Sequence, residues 1–536
     1  MRDEQPELVR DLLRPTAYPA GVERVTLRAT HASWVFLTEA EVFKVKRPVD
    51  FGFLDYHTLE ARKHACHEEV RLNARLASDV YLGVVPVRRT RDGLAISVDG
   101  AGDGEIVDWA VHMRRLPDAA SAAALLARGE LDAAALESVA ARLARFLDEA
   151  RPAPSFGTPS ALAGNLEENF TQTASLVGSL LTRKTFDDVQ AYQRGELGRH
   201  EARFLERIAD DRIREGHGDV RLEHIYFPAG VARRDPVIID AIEFNQRFRC
   251  GDVAAEIAFA AMELDAAGRL DLADGLVARF AEESDDFALY GVLDFYLSYR
   301  AWVRGKVAAF VADDPAASSQ LRASKEAEAR RFFNLARAAA GQPLEPPFLI
   351  AVGGLIGSGK STLAGELGRR LAVPVISSDR TRKSAAGLAP TARGGAELYD
   401  PGARDRVYEE VLRRAETVLE SGRPVILDAT FSARSWRQRA AALAKKAGAA
   451  FVFVEAACPP ALLRTRLAAR RHQPSVSDAT ETLLDAFMRD HEPFADGEAG
   501  PRLAIDTSGA SGDAAHAAVR ELGLLGIAPA FERRRG

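Results

Sequence analysis

The chain has 536 residues, of which 47% are apolar or aromatic and 28% charged, with a formal net charge of -6. That composition is the one expected of an ordinary soluble globular protein; it excludes a largely disordered chain and, at roughly 100 to 200 residues per domain, calls for several cores. The mild acidity argues against blanket attraction to nucleic-acid phosphates or anionic lipid, and the widely spaced Cys66, Cys250 and Cys458 exclude both a disulfide framework and a zinc ribbon.

At the start, MRDEQPELVRDLL places acids where a signal peptide needs a basic and then an apolar run, and no uncharged apolar stretch of about 18 residues follows anywhere. The expectation is a cytoplasmic protein with no membrane partner and a reducing environment. The alternating segments VERVTLRATHASWVFL and EVFKVKRPV predict antiparallel strands, and HTLEARKHACHEEVRLNARLA, with apolar positions at helical spacing, predicts a helix. From about Asp118 to Arg207 the chain is rich in Ala, Leu, Arg and Glu and reads as helices around one Pro and Gly loop. Short strands resume at HIYF and PVIIDAIEF, and a long helical stretch runs from Val253 to Ala340. GQPLEPP then stops any helix, which places a linker at 341–347 between an N-terminal domain (1–340) and a C-terminal one (348–536). Beyond it, FLIAVGG, PVISSD, PVILDAT and AFVFVEA alternate with helical segments, the pattern of a parallel α/β sheet.

Gly354 to Ser361 reads GxxxxGK[ST] between an apolar strand and an amphipathic helix. In that context Gly354, Gly357, Ser358 and Gly359 let successive backbone N-H groups turn inward around a phosphate. Lys360 reaches the β- and γ-phosphates, Ser361 ligates magnesium, and Thr362 continues the helix N-terminus that adds partial positive charge. The next strand ends at Asp379, followed by Arg382; ligands bind beyond strand C-termini in such sheets, so Asp379 is placed to orient or deprotonate an acceptor hydroxyl and Arg382 to hold an acceptor anion. Asp379 as a plain helix cap is the bland alternative. Asp428, at the end of PVILD, is a candidate magnesium ligand through water. Arg464, Arg466, Arg470 and Arg471 precede a polar loop, SVSDAT, and read either as lid arginines that reach the nucleotide, Arg466 foremost, or as a solvated basic face.

These features together resemble the P-loop kinases that include polynucleotide kinase and the gluconate and shikimate type kinases. The spacing Asp379-x-x-Arg382 is most similar to the polynucleotide kinase variant, which implies an Asp base and an Arg for an acceptor phosphate.

A second constellation, His217-Gly-Asp219-Val-Arg221-Leu-Glu-His224 followed by Ile238-Ile239-Asp240, resembles the catalytic loop and metal-binding aspartate of aminoglycoside phosphotransferase-like enzymes. The resemblance implies an α+β, kinase-like, two-lobed N-terminal domain in which Asp219 accepts the acceptor proton, Arg221 faces phosphate and Asp240 ligates magnesium. It further implies that a strand lysine, Lys46 in preference to Lys44, pairs with phosphates and with Glu69 of the helix, and that Met113 and Arg114 in WAVHMRRLP lie near the adenine. FGFLDYHTLE, VYLGVVPV and EFNQRFRCGD extend the resemblance to a phosphotransferase-like domain found fused to a P-loop kinase. Two departures stand out. The nucleotide-covering turn, Thr30-His31-Ala32-Ser33-Trp34, has no glycine, and His224 stands where the pattern has a metal-ligating Asn, with Glu243 or Asn245 as substitutes. His64 and His67 read as helix-surface residues and Cys250 as a small buried one.

The expected function is ATP-dependent phosphoryl transfer at two nucleotide sites to hydroxyl groups of small molecules or of a polynucleotide end, the latter not indicated by net charge. ATP and magnesium are the expected cofactors, with manganese an option at His224. The alternative is an N-terminal half that senses a ligand or nucleotide as a pseudokinase and regulates the P-loop half.

Overall fold

A computed structural model of the chain describes residues 6–50, 52, 54–98, 104–229, 235–315, 317–341, 346–392, 394–395, 398, 400–470, 481–495, 497–498 and 500–528. Contacts divide the chain into two compact units, Met1–Leu162 with Leu205–Ala260, and Ala163–Phe204 with Ala261–Gly536.

The first unit opens with a six-stranded antiparallel sheet built from β1 (Thr26–Ala29), β2 (Ser33–Leu37), β3 (Glu41–Lys46), β4 (Tyr81–Thr90), β5 (Gly93–Ile96) and β6 (Ile106–Arg114), in the order β1-β2-β3-β6-β4-β5. Because alternate residues of a strand face opposite sides, Phe43 and Val45 enter one core with Phe36, Val85 and Ala110. Val42 faces the other way and packs with Cys66, Val111 and Met113; Lys44 and Lys46 share its side. Helix α1 (Leu59–Ala77) lies there, started by the Thr58 hydroxyl, which accepts from the Ala61 N-H at 3.1 Å.

Beyond residue 205 this unit is held by two nested ribbons. β7 (Ile213–Glu215) pairs with β10 (Cys250–Asp252), and inside them β8 (Ile225–Tyr226) pairs with β9 (Val237–Ile238). The nesting sets the loop after β7 beside the loop after β9. Arg207 and Asp252, both buried and paired at 2.6 Å, close the outer end, which is why three-residue strands persist here.

In the second unit, α2 (Arg183–Arg199) is followed by α3 (Leu270–Glu283), which lies against the strand Val375–Ser377, and α2, α4 (Leu293–Asp313) and α5 (Ser319–Ala339) pack around Trp302. Phe170, Phe186 and Phe333 meet its ring edge-on at 5.1, 5.8 and 4.9 Å. The parallel sheet is β11 (Phe348–Gly353), β12 (Val375–Ser377), β13 (Val425–Asp428), β14 (Ala450–Ala457) and β15 (Arg502–Asp506), in the order β12-β13-β11-β14-β15. Every residue of β11 is buried, as expected of a central strand covered on both faces. Its apolar side chains pack on Leu363 and Leu367 of α6 (Lys360–Leu371) and Ala515 and Ala518 of α10 (Ser511–Leu524). Between them in sequence lie α7 (Ser378–Ala385), α8 (Pro401–Glu420) and α9 (Pro460–Arg470).

The fold is thus α+β in the first unit, with an α/β P-loop domain on a parallel sheet in the second. The strand β15 was not anticipated, because RLAID is short and half exposed. Most of the expected linker, 342–345, lies outside the described residues, as do Arg471 and the loop 475–480. Among the described residues no helix is long and apolar enough to cross a membrane.

Candidate functional site

The P-loop joins the C-terminal end of β11 to α6. Gly354 has φ +140°, and a Cβ there would sit 2.6 Å from the Ala456 carbonyl oxygen, so only glycine fits. Gly359, at φ +88°, is the N-cap of α6, which leaves the first helical N-H groups to a ligand. Lys360 is buried at the helix start, and Asp428 ends the neighbouring β13, level with Val352 of β11 and Ser377 of β12. The hydroxyls of Ser361 and Ser377 lie beside the Asp428 carboxylate and favour its charged form. Its Oδ1 is buried with no hydrogen-bond partner among the described residues. Burial pushes the Asp428 carboxyl up, opposed chiefly by the Lys360 ammonium. A buried carboxylate oxygen left unpaired beside a serine hydroxyl is a costly arrangement, and it suits a hard cation with oxygen ligands.

Asp379 lies in the first turn of α7, and Arg382, one turn on, ion-pairs with it. Arg466 of α9 donates to the Ser358 carbonyl at 3.3 Å and to the carbonyl of Thr507, while the Thr507 hydroxyl donates to the same Ser358 oxygen. Arg466 therefore braces the P-loop as well as lining a cavity of about 270 Å³ with Gly359, Thr362, Thr507 and Gly509. Arg464 instead pairs with Asp485 at the surface, 2.7 Å away. The side chain of Arg470 lies outside the described residues.

In the first unit, the two nested loops carry the second site. Asp219 N-H donates to His217 Nδ1 at 3.2 Å, so the Nε2-H of His217 is the donor to the Ile239 carbonyl at 2.9 Å. Burial drives the His217 pKa down to about 3, which keeps that ring neutral and the tautomer fixed. His224 Nδ1 is 2.9 Å from the Asp219 carbonyl, and its Nε2 lies 3.6 Å from Asp240 Oδ2. Asp240 adopts φ +67°, a left-handed conformation that Asp tolerates better than most residues and that recurs at ligand clamps.

Lys44 donates to Glu69 Oε1 at 2.9 Å and to Asp240 Oδ1 at 2.7 Å. Lys46, on the same face, pairs with Glu69 Oε2 and with Glu243, and Glu243 also accepts from the Tyr56 hydroxyl at 2.5 Å. Their accessibility separates the two lysines, since the Lys44 side chain is 14% exposed and that of Lys46 1%. Burial would raise the Asp240 carboxyl, but Lys44, His224 and Lys46 override it and hold Asp240 far below the usual carboxylate range. Asn73 ties α1 to this loop, accepting from the Ala241 N-H at 2.9 Å.

Glu243 is committed to Lys46 and Tyr56, and the Asn245 side chain accepts from Arg247 N-H at 3.0 Å as a helix cap, so neither is placed as a substitute for the absent Asn ligand. Among the described residues no group of three or more His, Cys, Asp or Glu is gathered as a metal site. Arg221 pairs with Glu223. Met113 is buried on β6 opposite Val42 and Tyr81. The turn from Thr30 to Ser33 is closed by the Thr30 hydroxyl, which accepts from Ser33 N-H at 2.9 Å, in place of any glycine.

The uncharacterized protein Rv2004c of Mycobacterium tuberculosis (strain H37Rv) is 32% identical over 495 residues, spanning 90% of this chain and 93% of that one. The same holds for the uncharacterized protein Mb2027c of Mycobacterium bovis. The chain belongs to the Rv2004c family. Within this Rv2004c-family chain, residues 349–494 match the family described as an AAA domain. Among solved structures, a choline/ethanolamine kinase family protein from Mesorhizobium loti is similar to 62% of the chain over 99% of its own length, at 12% identity and a TM-score of 0.36. A gluconokinase from Sinorhizobium meliloti is similar to 34% of the chain over 93% of its own, at 21% identity and a TM-score of 0.25. The Rv2004c-family chain thus carries, after its antiparallel-sheet unit, a P-loop domain of the AAA family on a parallel sheet.

Proposed function

We propose that the P-loop site transfers the γ-phosphoryl group of ATP to a hydroxyl acceptor, with Asp379 as base and Arg382 as the acceptor's anion contact. The observation that carries this reading is the unpaired, buried Asp428 oxygen beside Lys360 and Ser361 at the mouth of the glycine-formed loop. Ser361 and Asp428 would hold magnesium, which when bound neutralises charge on the phosphate oxygens. The loop N-H groups and Lys360 orient the β- and γ-phosphates. Asp379, held by Arg382 in the absence of substrate, is one helical turn from a cation that an anionic acceptor can claim, which would release the carboxylate to take the hydroxyl proton.

The N-terminal site is proposed as a second nucleotide site in which Lys44, rather than Lys46, meets phosphate, because Lys44 alone bridges Glu69 and Asp240 and retains exposure. Asp219 would orient the acceptor and Asp240 a cation, with Arg221 and His224 at the rim. A pseudokinase reading draws on the glycine-free turn and on the engagement of His224 Nδ1 with the Asp219 backbone.

The test is transfer of labelled γ-phosphate by the full chain to sugars, aminoglycosides, nucleosides and 5'-hydroxyl oligonucleotides, with Lys360→Ala and Asp219→Ala assigning each activity to its site. Labelling of no acceptor class would reject transfer at both. For the acceptor found at the P-loop site, Arg382→Ala is expected to raise KM by ~10- to 100-fold, a loss of roughly 1.5 to 3 kcal/mol for a charge-assisted contact, while ATP binding stays unchanged. Equal weakening of ATP binding would place Arg382 on the nucleotide instead.

His224 decides between the two N-terminal readings. An imidazole suits manganese better than magnesium, so an active site with His224 on the metal should prefer manganese and shift toward magnesium in His224→Asn. Single-turnover assays in a Lys360→Ala background that show no transfer with either metal would leave the pseudokinase reading standing.

A further inference from the structure

β12 is the edge strand of the parallel sheet, and α7 continues directly from it, so Val375–Ala385 forms one arm that carries Ser377, Asp379 and Arg382. The outer backbone groups of an edge strand need partners from elsewhere. For the Val375 N-H the partner comes from the last turn of α3, in the helical segment of the same unit. Glu282 Oε1 accepts from the Val375 N-H at 2.8 Å, and the Glu282 carbonyl accepts from Arg380 at 2.7 Å. Three residues on, Asp285, at φ +50°, takes both Nη atoms of Arg414 at 2.7 and 2.9 Å. Arg414 in turn donates to the hydroxyl of Thr381 at 3.3 Å, and Thr381 is buried on α7. The arm is therefore gripped at its first residue and again between Asp379 and Arg382, by groups about a hundred positions earlier in the chain.

The grip is selective. None of these polar contacts reaches the P-loop or α6, which rest on the sheet core, on Arg466 and on Thr507; Val375 meets α6 through its apolar side chain, beside Gly368. A carboxylate on a backbone amide and a bidentate Asp-Arg pair are both directional and charge-assisted, so they fix where the arm stands and not only that it is attached.

We propose that Glu282 and Asp285 are positioning residues for the acceptor side of the P-loop site, setting the place of Asp379 and Arg382 from the helical segment ahead of the P-loop. This rests on the reading of Asp379 and Arg382 given above. A change in the α3 turn then alters acceptor handling without altering nucleotide binding.

The test uses the full chain, with ATP and water as the acceptor, and counts only the turnover that Lys360→Ala removes. Glu282→Ala and Asp285→Ala are expected to speed amide exchange in Val375–Ala385 by ~10-fold while exchange in α6 stays at the wild-type rate. The same variants should lower kcat by about 5- to 10-fold with KM for ATP unchanged, since only the group orienting the nucleophile is displaced. Glu282→Gln, whose amide oxygen still accepts from Val375, should restore both readouts. Asp379→Asn reports on the underlying reading; a wild-type kcat in that variant removes Asp379 from the reaction. If Asp379→Asn lowers kcat but Glu282→Ala and Asp285→Ala do not, the positioning role is wrong and the base assignment stands. Exchange that rises throughout α6 as well, or a KM for ATP that climbs with the loss of kcat, would also overturn the proposal, because it would mark a general loosening of the unit.

Discussion

In Lys360→Ala, ATP turnover by the P-loop site is expected to fall by at least ~100-fold, the scale seen when a single preorganised charge facing the transferring group is removed. The reason is local. Lys360 is the first residue of α6, buried against the Asp428 carboxylate, and the surrounding loop offers backbone N-H groups but no second cation at that point. Arg466 does not replace it, because its guanidinium is spent on the Ser358 and Thr507 carbonyls. The fold should survive, since α6 keeps Leu363 and Leu367 in the sheet core. Steady-state hydrolysis by the full chain, with nucleotide binding measured in parallel, checks this; turnover within a few fold of wild type would remove the P-loop from the reaction.

The second large effect separates the paired lysines of β3. Lys46 is expected to be structural. Its ammonium is enclosed with Glu69 and Glu243, and Lys46→Ala leaves two buried carboxylates short of a partner, a change of the kind that costs about 3 to 5 kcal/mol. The loss should appear as faster amide exchange along α1 and a lower denaturation midpoint for the first unit. Lys44→Ala should do less to stability, because Asp240 and Lys44 are both partly exposed, and more to nucleotide binding by the first unit in a Lys360→Ala background. A reversal of the two phenotypes would return the phosphate contact to Lys46.

Much of this was written in local sequence. GxxxxGK[ST] needs particular residues at fixed spacing between a strand and a helix, so the loop, its lysine and the flanking elements could be read together. The central strand of the parallel sheet, FLIAVG, was legible because burial on both faces leaves an unbroken apolar run, and three of its neighbours carry shorter apolar runs of the same kind. The lysine pair was harder. Period-two alternation puts Lys44 and Lys46 on one face, but which of them reaches solvent depends on Tyr56 and Glu243, which arrive from distant loops. Pairing of Arg382 with Asp379 follows from their i, i+3 spacing on α7 and could have been foreseen once that helix was placed. The inner ribbon was readable as the short strands HIYF and PVII, but the outer one was not, because three-residue strands such as IRE and CGD carry no periodicity. Nor could the contact of Glu282 with Val375, where nothing local marks either residue.

That last contact bears on how the chain can be divided. A break at the Pro-rich segment looks natural from composition, yet residues 348–536 taken alone would present β12 with its Val375 amide uncovered and Thr381 and Arg414 stripped of Asp285. An uncovered strand edge is a template for another strand. The excised P-loop portion would therefore carry an adhesive margin that the intact chain keeps sealed, and self-association of such a fragment would be a property of the cut.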